Sequence, residues 1–238
     1  MRGTTLVKLL DLYRAECRLS LNPAHNAQVR DAQVHHIQRT QEWLWADYDW
    51  PLLRVERYIE IANGQRYYSL PPDLDIDRLT KVEIRHDDVY QPLHPGIDAE
   101  HYSAYDSDKD ERQWPPQRWR ISENEQMEIW PIPDSDYDPV SLEGRIKLTG
   151  IKRLSPLVSD SDRADLDDRL IILYCAAEQL AASGAKDASF KLQQAQKRLA
   201  SLRGHQSAVR RFTMFGGVTN RSDVIKRVPL AVYNKPGS

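Results

Sequence analysis

Proline sets the first limit on what this chain can fold into. Ten of its 14 prolines fall between Pro51 and Pro139, none lies between residues 24 and 50, and none between residues 157 and 228. Proline lacks the amide hydrogen and clashes inside a helix, but turns and edge strands accept it. The chain therefore reads as two helix-permissive windows around a middle of strands and loops. The predicted class is α+β: a helical bundle from the N- and C-terminal helices, a central, mainly antiparallel β domain, and an extended C-terminal tail. The corresponding boundaries are 1–50, 51–158, 159–215 and 216–238.

Within the first window, Leu6, Leu9, Leu10, Tyr13 and Cys17 share one face of a helix predicted over Thr5 to Leu19. Asn22-Pro23 then starts a second helix reaching Tyr48, with a thin apolar stripe of Val29, Ala32, Ile37, Trp43 and Leu44 amid Gln28, Gln33, His35, His36, Gln38 and Gln41. Such a polar helix suits a subunit boundary or a wet surface better than a dry core. In the last window, Leu166, Leu170, Leu173, Tyr174, Ala177, Leu180 and Ala181 repeat at helical steps behind Asp162 and Asp165, and Gly184 ends the run. A fourth helix carries Ala188, Leu192, Ala195, Leu199 and Leu202.

The middle shows period-two alternation from Arg54 to Ile61, a tight-turn signal at Asn63-Gly64, and a return through Tyr67 to Leu70, which reads as a hairpin. Further strands are predicted at Thr80 to Arg85 and Val89 to Leu93 around Asp87-Asp88, at Arg118 to Ile121 and Met127 to Trp130 around Glu123-Asn124, and at Val140 to Ile151. Residues 98 to 113 are too polar to pack and read as a surface insertion. The tryptophans at 43, 45 and 50 are expected to pin the end of the second helix onto the sheet.

Charge divides the chain differently. Lys186 to Ser238 holds 11 Lys/Arg and 2 Asp/Glu, whereas Met1 to Ala185 holds 22 and 33, so a net charge of -2 conceals two regions of opposite sign. On the fourth helix, Lys191, Lys197, Arg198 and Arg203 fit either phosphate contacts or the outer face of an amphipathic helix, the second being favoured. The tail after Gly216-Gly217 mixes Val224, Ile225, Val228, Leu230, Val232 and Tyr233 with Arg221, Lys226, Arg227 and Lys235. It has no core of its own to enter, and so reads as a strap for an acidic, partly apolar surface elsewhere.

Several chemistries find no support. The only glycine pair lacks the lysine and preceding strand of a phosphate loop, and the seven histidines offer no i,i+4 pair or neighbouring cysteine. Cys17 and Cys175 lie in helical apolar patterns and read as buried thiols. The acidic runs at 106–111, 134–138 and 160–168 read as solvated loops and a helix N-terminus. No catalytic, cofactor-binding or metal-binding residue is assigned. No run approaches the roughly 18 apolar residues of a membrane span, and the N-terminus opens into a charged amphipathic segment, so a protein made in the cytoplasm is expected.

Four stretches together carry a resemblance: Trp43-Leu44-Trp45-Ala46-Asp47-Tyr48-Asp49-Trp50-Pro51, Tyr68-Ser69-Leu70-Pro71-Pro72-Asp73, Gln126-Met127-Glu128-Ile129-Trp130-Pro131-Ile132-Pro133 and Leu173-Tyr174-Cys175-Ala176-Ala177-Glu178-Gln179-Leu180. In pattern, from Leu6 to Leu202, the chain resembles the head-to-tail adaptor proteins of tailed bacteriophages, in particular the tail tubular protein A group of short-tailed phages. The resemblance implies a virion component at the head-tail junction and a homo-oligomeric ring, commonly of twelve copies, beneath the portal protein. It further implies DNA passing through the lumen and a tail or nozzle protein attached below. On that reading the strap docks on the portal. The alternative is a DNA-binding protein that uses the basic C-terminal helix; a carboxylate-dependent glycan hydrolase finds no positioned acid and base.

Overall fold

A computed structural model describes residues 2–206. It shows helices with two largely antiparallel sheets, an α+β fold. Helix α1 spans Leu6–Glu16 and buries Leu6, Leu9, Leu10, Tyr13 and Arg14. A 3-10 turn at Pro23–Val29, capped by the Asn22 side chain, precedes α2 at Arg30–Ala46. Proline at the first position of that turn costs no hydrogen bond, since its missing N–H would have had no partner there.

The strands form two four-stranded sheets. In the first, the order is β1 (Arg54–Glu60), β8 (Arg145–Lys152), β3 (Leu74–His86) and β4 (Val89–Pro92). In the second it is β2 (Tyr67–Ser69), β7 (Gln126–Trp130), β6 (Arg118–Ile121) and β5 (His94–Pro95). Only β5 and β6 run parallel among these pairs. Val82, Ile84, Ile146 and Leu148 of the first sheet share a core with Tyr68, Met127 and Ile129 of the second.

Two predicted hairpins are present: β3 and β4 turn at Asp87 and Asp88, both left-handed (φ 49° and 62°), and β6 pairs with β7. A two-residue turn with both φ values positive matches the twist of its flanking strands, and aspartate tolerates that region better than most residues. The hairpin predicted from Arg54 to Leu70 is not formed. β1 pairs with β8 along all seven of its residues, and β2 pairs with β7 in the other sheet. Asn63-Gly64 does turn the chain, with Gly64 at φ +73°, but the turn is a corner between sheets. The last strand begins at Arg145 rather than Val140, which stands 91% exposed in the preceding loop.

Helix α3 (Ala99–Ala104) lies in the predicted insertion, and α4 (Asp168–Ala182) and α5 (Ala188–Gln206) follow the sheets. α4 packs against α1, α2 and α5. Leu170, Ile171, Ile172, Cys175 and Ala176 of α4 join Leu6, Leu9, Leu10, Ile37, Leu44, Trp50 and Leu53 in a second core. Asp167 caps α4 through the Leu170 N–H at 3.0 Å. That carboxylate and Asp168 are 3% and 2% exposed, so the end of the acidic run does form a helix N-terminus, and a buried one.

Candidate interaction surface

Helix α2 turns three of its polar side chains inward. Gln33, Thr40 and Gln41 are buried with Ile37 and Leu44, whereas Trp43 is 51% exposed and Val29 also faces out. Each buried polar group has a partner from another element. Gln33 accepts from Arg14 Nε at 3.0 Å, Gln41 accepts from the Asp165 N–H at 3.2 Å, and Thr40 Oγ1 accepts from Cys175 Sγ at 3.2 Å. The predicted stripe was therefore wrong at Val29, Ala32 and Trp43, all of which are exposed. Trp43 lies about 100° around the helix from Leu44, and that step carries its ring from the buried face to the surface. Of the tryptophans expected to pin this helix onto the sheet, Trp45 does so, through Nε1 to Lys152 O of β8, whereas Trp50 is buried and its Nε1 donates back to Leu44 O of α2 itself.

Trp43 instead forms the rim of a groove of about 690 Å³ between α2, α4 and α5. Its ring meets Tyr174 edge-on, with centroids 5.3 Å apart. Ala177, Ala181, Ala188 and Leu192 line the rest. Alanines keep the trough open because their side chains do not fill the space between neighbouring helices. Arg39 and Glu178 line the groove as an ion pair at 2.5 Å, and His36 Nε2 lies 2.9 Å from the other carboxylate oxygen. The His36 ring, followed by Arg39, holds the Glu178 carboxyl below its ordinary range. Phe190, 58% exposed, and Leu192, 40% exposed, extend the apolar surface along α5. The signal that would have revealed this surface was the one-residue offset between Trp43 and Leu44, together with the alanine spacing of α4.

The basic charges of α5 are largely occupied within the subunit. Lys191 pairs with Glu16, Arg203 pairs with Asp47, and Arg198 lies 2.8 Å from Asp167. Three of the four charges considered for phosphate contact thus face carboxylates rather than forming an open basic face. Burial raises the Asp167 carboxyl, but its donors, Arg198 foremost, outweigh burial and hold it below its ordinary value of 3.8.

The insertion is not detached from the fold. Glu128 on β7 has a fully buried side chain that accepts from Arg66 Nε at 2.7 Å, Tyr102 Oη at 2.8 Å and Arg120 Nε at 2.5 Å. Burial pushes this carboxyl up, yet the tyrosine and the two guanidiniums prevail and keep it ionised below its ordinary range. Tyr102 belongs to α3, and Trp130 Nε1 donates to Tyr105 O at 3.0 Å, so the polar segment packs through hydrogen bonds and aromatic edges rather than aliphatic burial.

The predicted docking residues Arg221, Val224, Ile225, Lys226, Arg227, Val228, Leu230, Val232 and Tyr233 lie outside the described residues. Among the described residues no group of three or more His, Cys, Asp or Glu is placed to hold a metal ion, and no helix is long and apolar enough to cross a membrane. A search of curated proteins finds no match. A family model described as SU10 adaptor protein matches residues 5–221, from the first turn before α1 to beyond α5. That span takes in both cores and the groove, and the chain belongs to the SU10 adaptor protein family, as a phage head-to-tail adaptor.

Proposed function

We propose that this adaptor forms a homo-oligomeric ring, of twelve copies, beneath the portal protein, extends the DNA channel, and offers a downstream tail or nozzle protein its attachment surface. The observation that carries the reading is the adaptor-family match across residues 5–221. The half-exposed apolar groove supports it, because a subunit of a ring needs faces that only neighbours or partners complete. DNA passes without specific binding in this reading: residues 1–206 hold 27 Lys/Arg against 34 Asp/Glu, which disfavours a tight grip on phosphates. The role is structural, with no catalytic step, cofactor or metal.

Attachment to the portal is assigned to Val224, Ile225, Val228, Leu230, Val232 and Tyr233, with Arg221, Lys226 and Arg227 steering the encounter. Burying four such apolar side chains contributes roughly 1.5–3 kcal/mol each, against about 1–2 kcal/mol per ordered residue. One strap is then weak, and repetition around the ring supplies the avidity. The test is deletion of residues 221–238. The truncated subunit is expected to keep its circular dichroism but to fail to join portal-bearing heads; normal attachment would refute the assignment. The DNA-binding alternative predicts duplex affinity that falls steeply with salt, and a filter-binding titration at two salt concentrations distinguishes it.

A further inference from the structure

We propose that in the free subunit residues 224–233 occupy the groove between α2, α4 and α5 of their own chain. The biological setting rests on the adaptor reading, but the proposal itself stands on four observations. First, the groove is lined mainly by apolar side chains, of which Trp43, Ala181 and Leu192 are exposed. Second, the required chemistry is present in this chain: residues 224–233 hold five aliphatic side chains at 224, 225, 228, 230 and 232 and an aromatic at 233.

Third, the reach is sufficient. α5 supplies a groove wall at Ala188 and Leu192, and fourteen residues later reaches Gln206, about 21 Å further along its axis. The 17 residues between Gln206 and Val224 extend to about 60 Å, so the segment can return to the groove of its own subunit without strain. Fourth, the charges are complementary. Residues 207–238 hold 6 Lys/Arg and 1 Asp/Glu, against the acidic excess of residues 1–206.

Occupation of this groove and of a portal by the same residues is mutually exclusive. The free subunit then keeps its apolar trough covered, which opposes premature self-association, and uncovers it only when the strap transfers to the portal. Own-chain docking is favoured over capture by a second copy because the linker confines the segment near its own groove at a high effective concentration.

Disulfide trapping tests this on the full-length chain without any portal. Ala181→Cys, on the groove wall, is combined with a single cysteine at each position from 224 to 233, and the variants are mildly oxidised at low protein concentration. The native thiols are buried, and burial pushes Cys17 up to about 11 and Cys175 up to about 12, so the introduced pair reacts first. The expected result is an intramolecular cross-link, at monomer mass, with at least a five-fold higher yield than pairs using Glu100→Cys on α3, and a several-fold loss when Leu192→Asp is added. Yields equal to the Glu100 control, or covalent dimers showing that a second copy fills the groove, would overturn the proposal. Because no portal is present, failure here leaves the attachment assignment standing, and normal attachment of the truncated subunit, which would refute that assignment, leaves this one standing.

Discussion

α2 and α4 pack against each other yet bury opposite kinds of side chain. α4 hides Leu170, Ile171, Ile172, Leu173, Cys175, Ala176 and Leu180, whereas α2 hides Gln33, Thr40 and Gln41 around two aliphatic residues and presents a tryptophan to solvent. The contrast teaches that the two helices are held differently. α4 is placed by non-directional apolar burial, and α2 is oriented by hydrogen bonds that have few acceptable geometries. An apolar side chain on the outer face of a helix fixed in this way is available for a partner without being needed by the core.

Three substitutions break or sharpen that contrast. Leu170→Ala, at a fully buried site in α4, is expected to cost about 2–5 kcal/mol through lost transfer energy and a residual cavity, read as a lowered urea midpoint. Gln41→Ala leaves the Asp165 N–H without its acceptor and is expected to cost about 1–2 kcal/mol, with the same probe. Trp43→Ala is expected to cost less than about 1 kcal/mol, the worth of its edge contact with Tyr174 at a half-exposed position. A loss at Trp43 as large as at Leu170 would show that the groove rim belongs to the core and would end the distinction between the two helices.

What the residues disclosed in advance follows the range of the interactions concerned. Asp87-Asp88 announced its hairpin because a two-residue turn dictates the pairing of the strands on either side. Asn63-Gly64 announced a turn but not its strand partners, since β8, the partner of β1, arrives some 85 residues after it. The α4 face was readable from apolar spacing, although Ile171, Ile172 and Cys175 show burial beyond one stripe, as expected for a helix enclosed by three others. The inward glutamines of α2 and the packing of residues 98–113 were not readable. Their partners, Arg14, the Asp165 N–H and Glu128, are scattered along the chain, and polar side chains carry no periodic mark of the face they choose. The groove was hidden for the same reason: its rim residue counted as core in any hydrophobic pattern.

The joint between the helices and the sheets has a mechanical consequence. The chain crosses it twice at one place, entering β1 at Arg54 and leaving β8 at Lys152, one residue beyond Ile151, the paired neighbour of Arg54. Arg78 on β3 rivets the crossing, donating to Trp45 O at 2.8 Å and to Asp49, while its guanidinium lies 4.5 Å from the Trp45 ring centroid. A single tether would let one body swivel freely about the other. Two strands side by side, clamped by a cation against an indole, resist torsion and leave bending about their common edge as the softest mode, so a twisting load on one half is delivered to the other rather than dissipated in the linker.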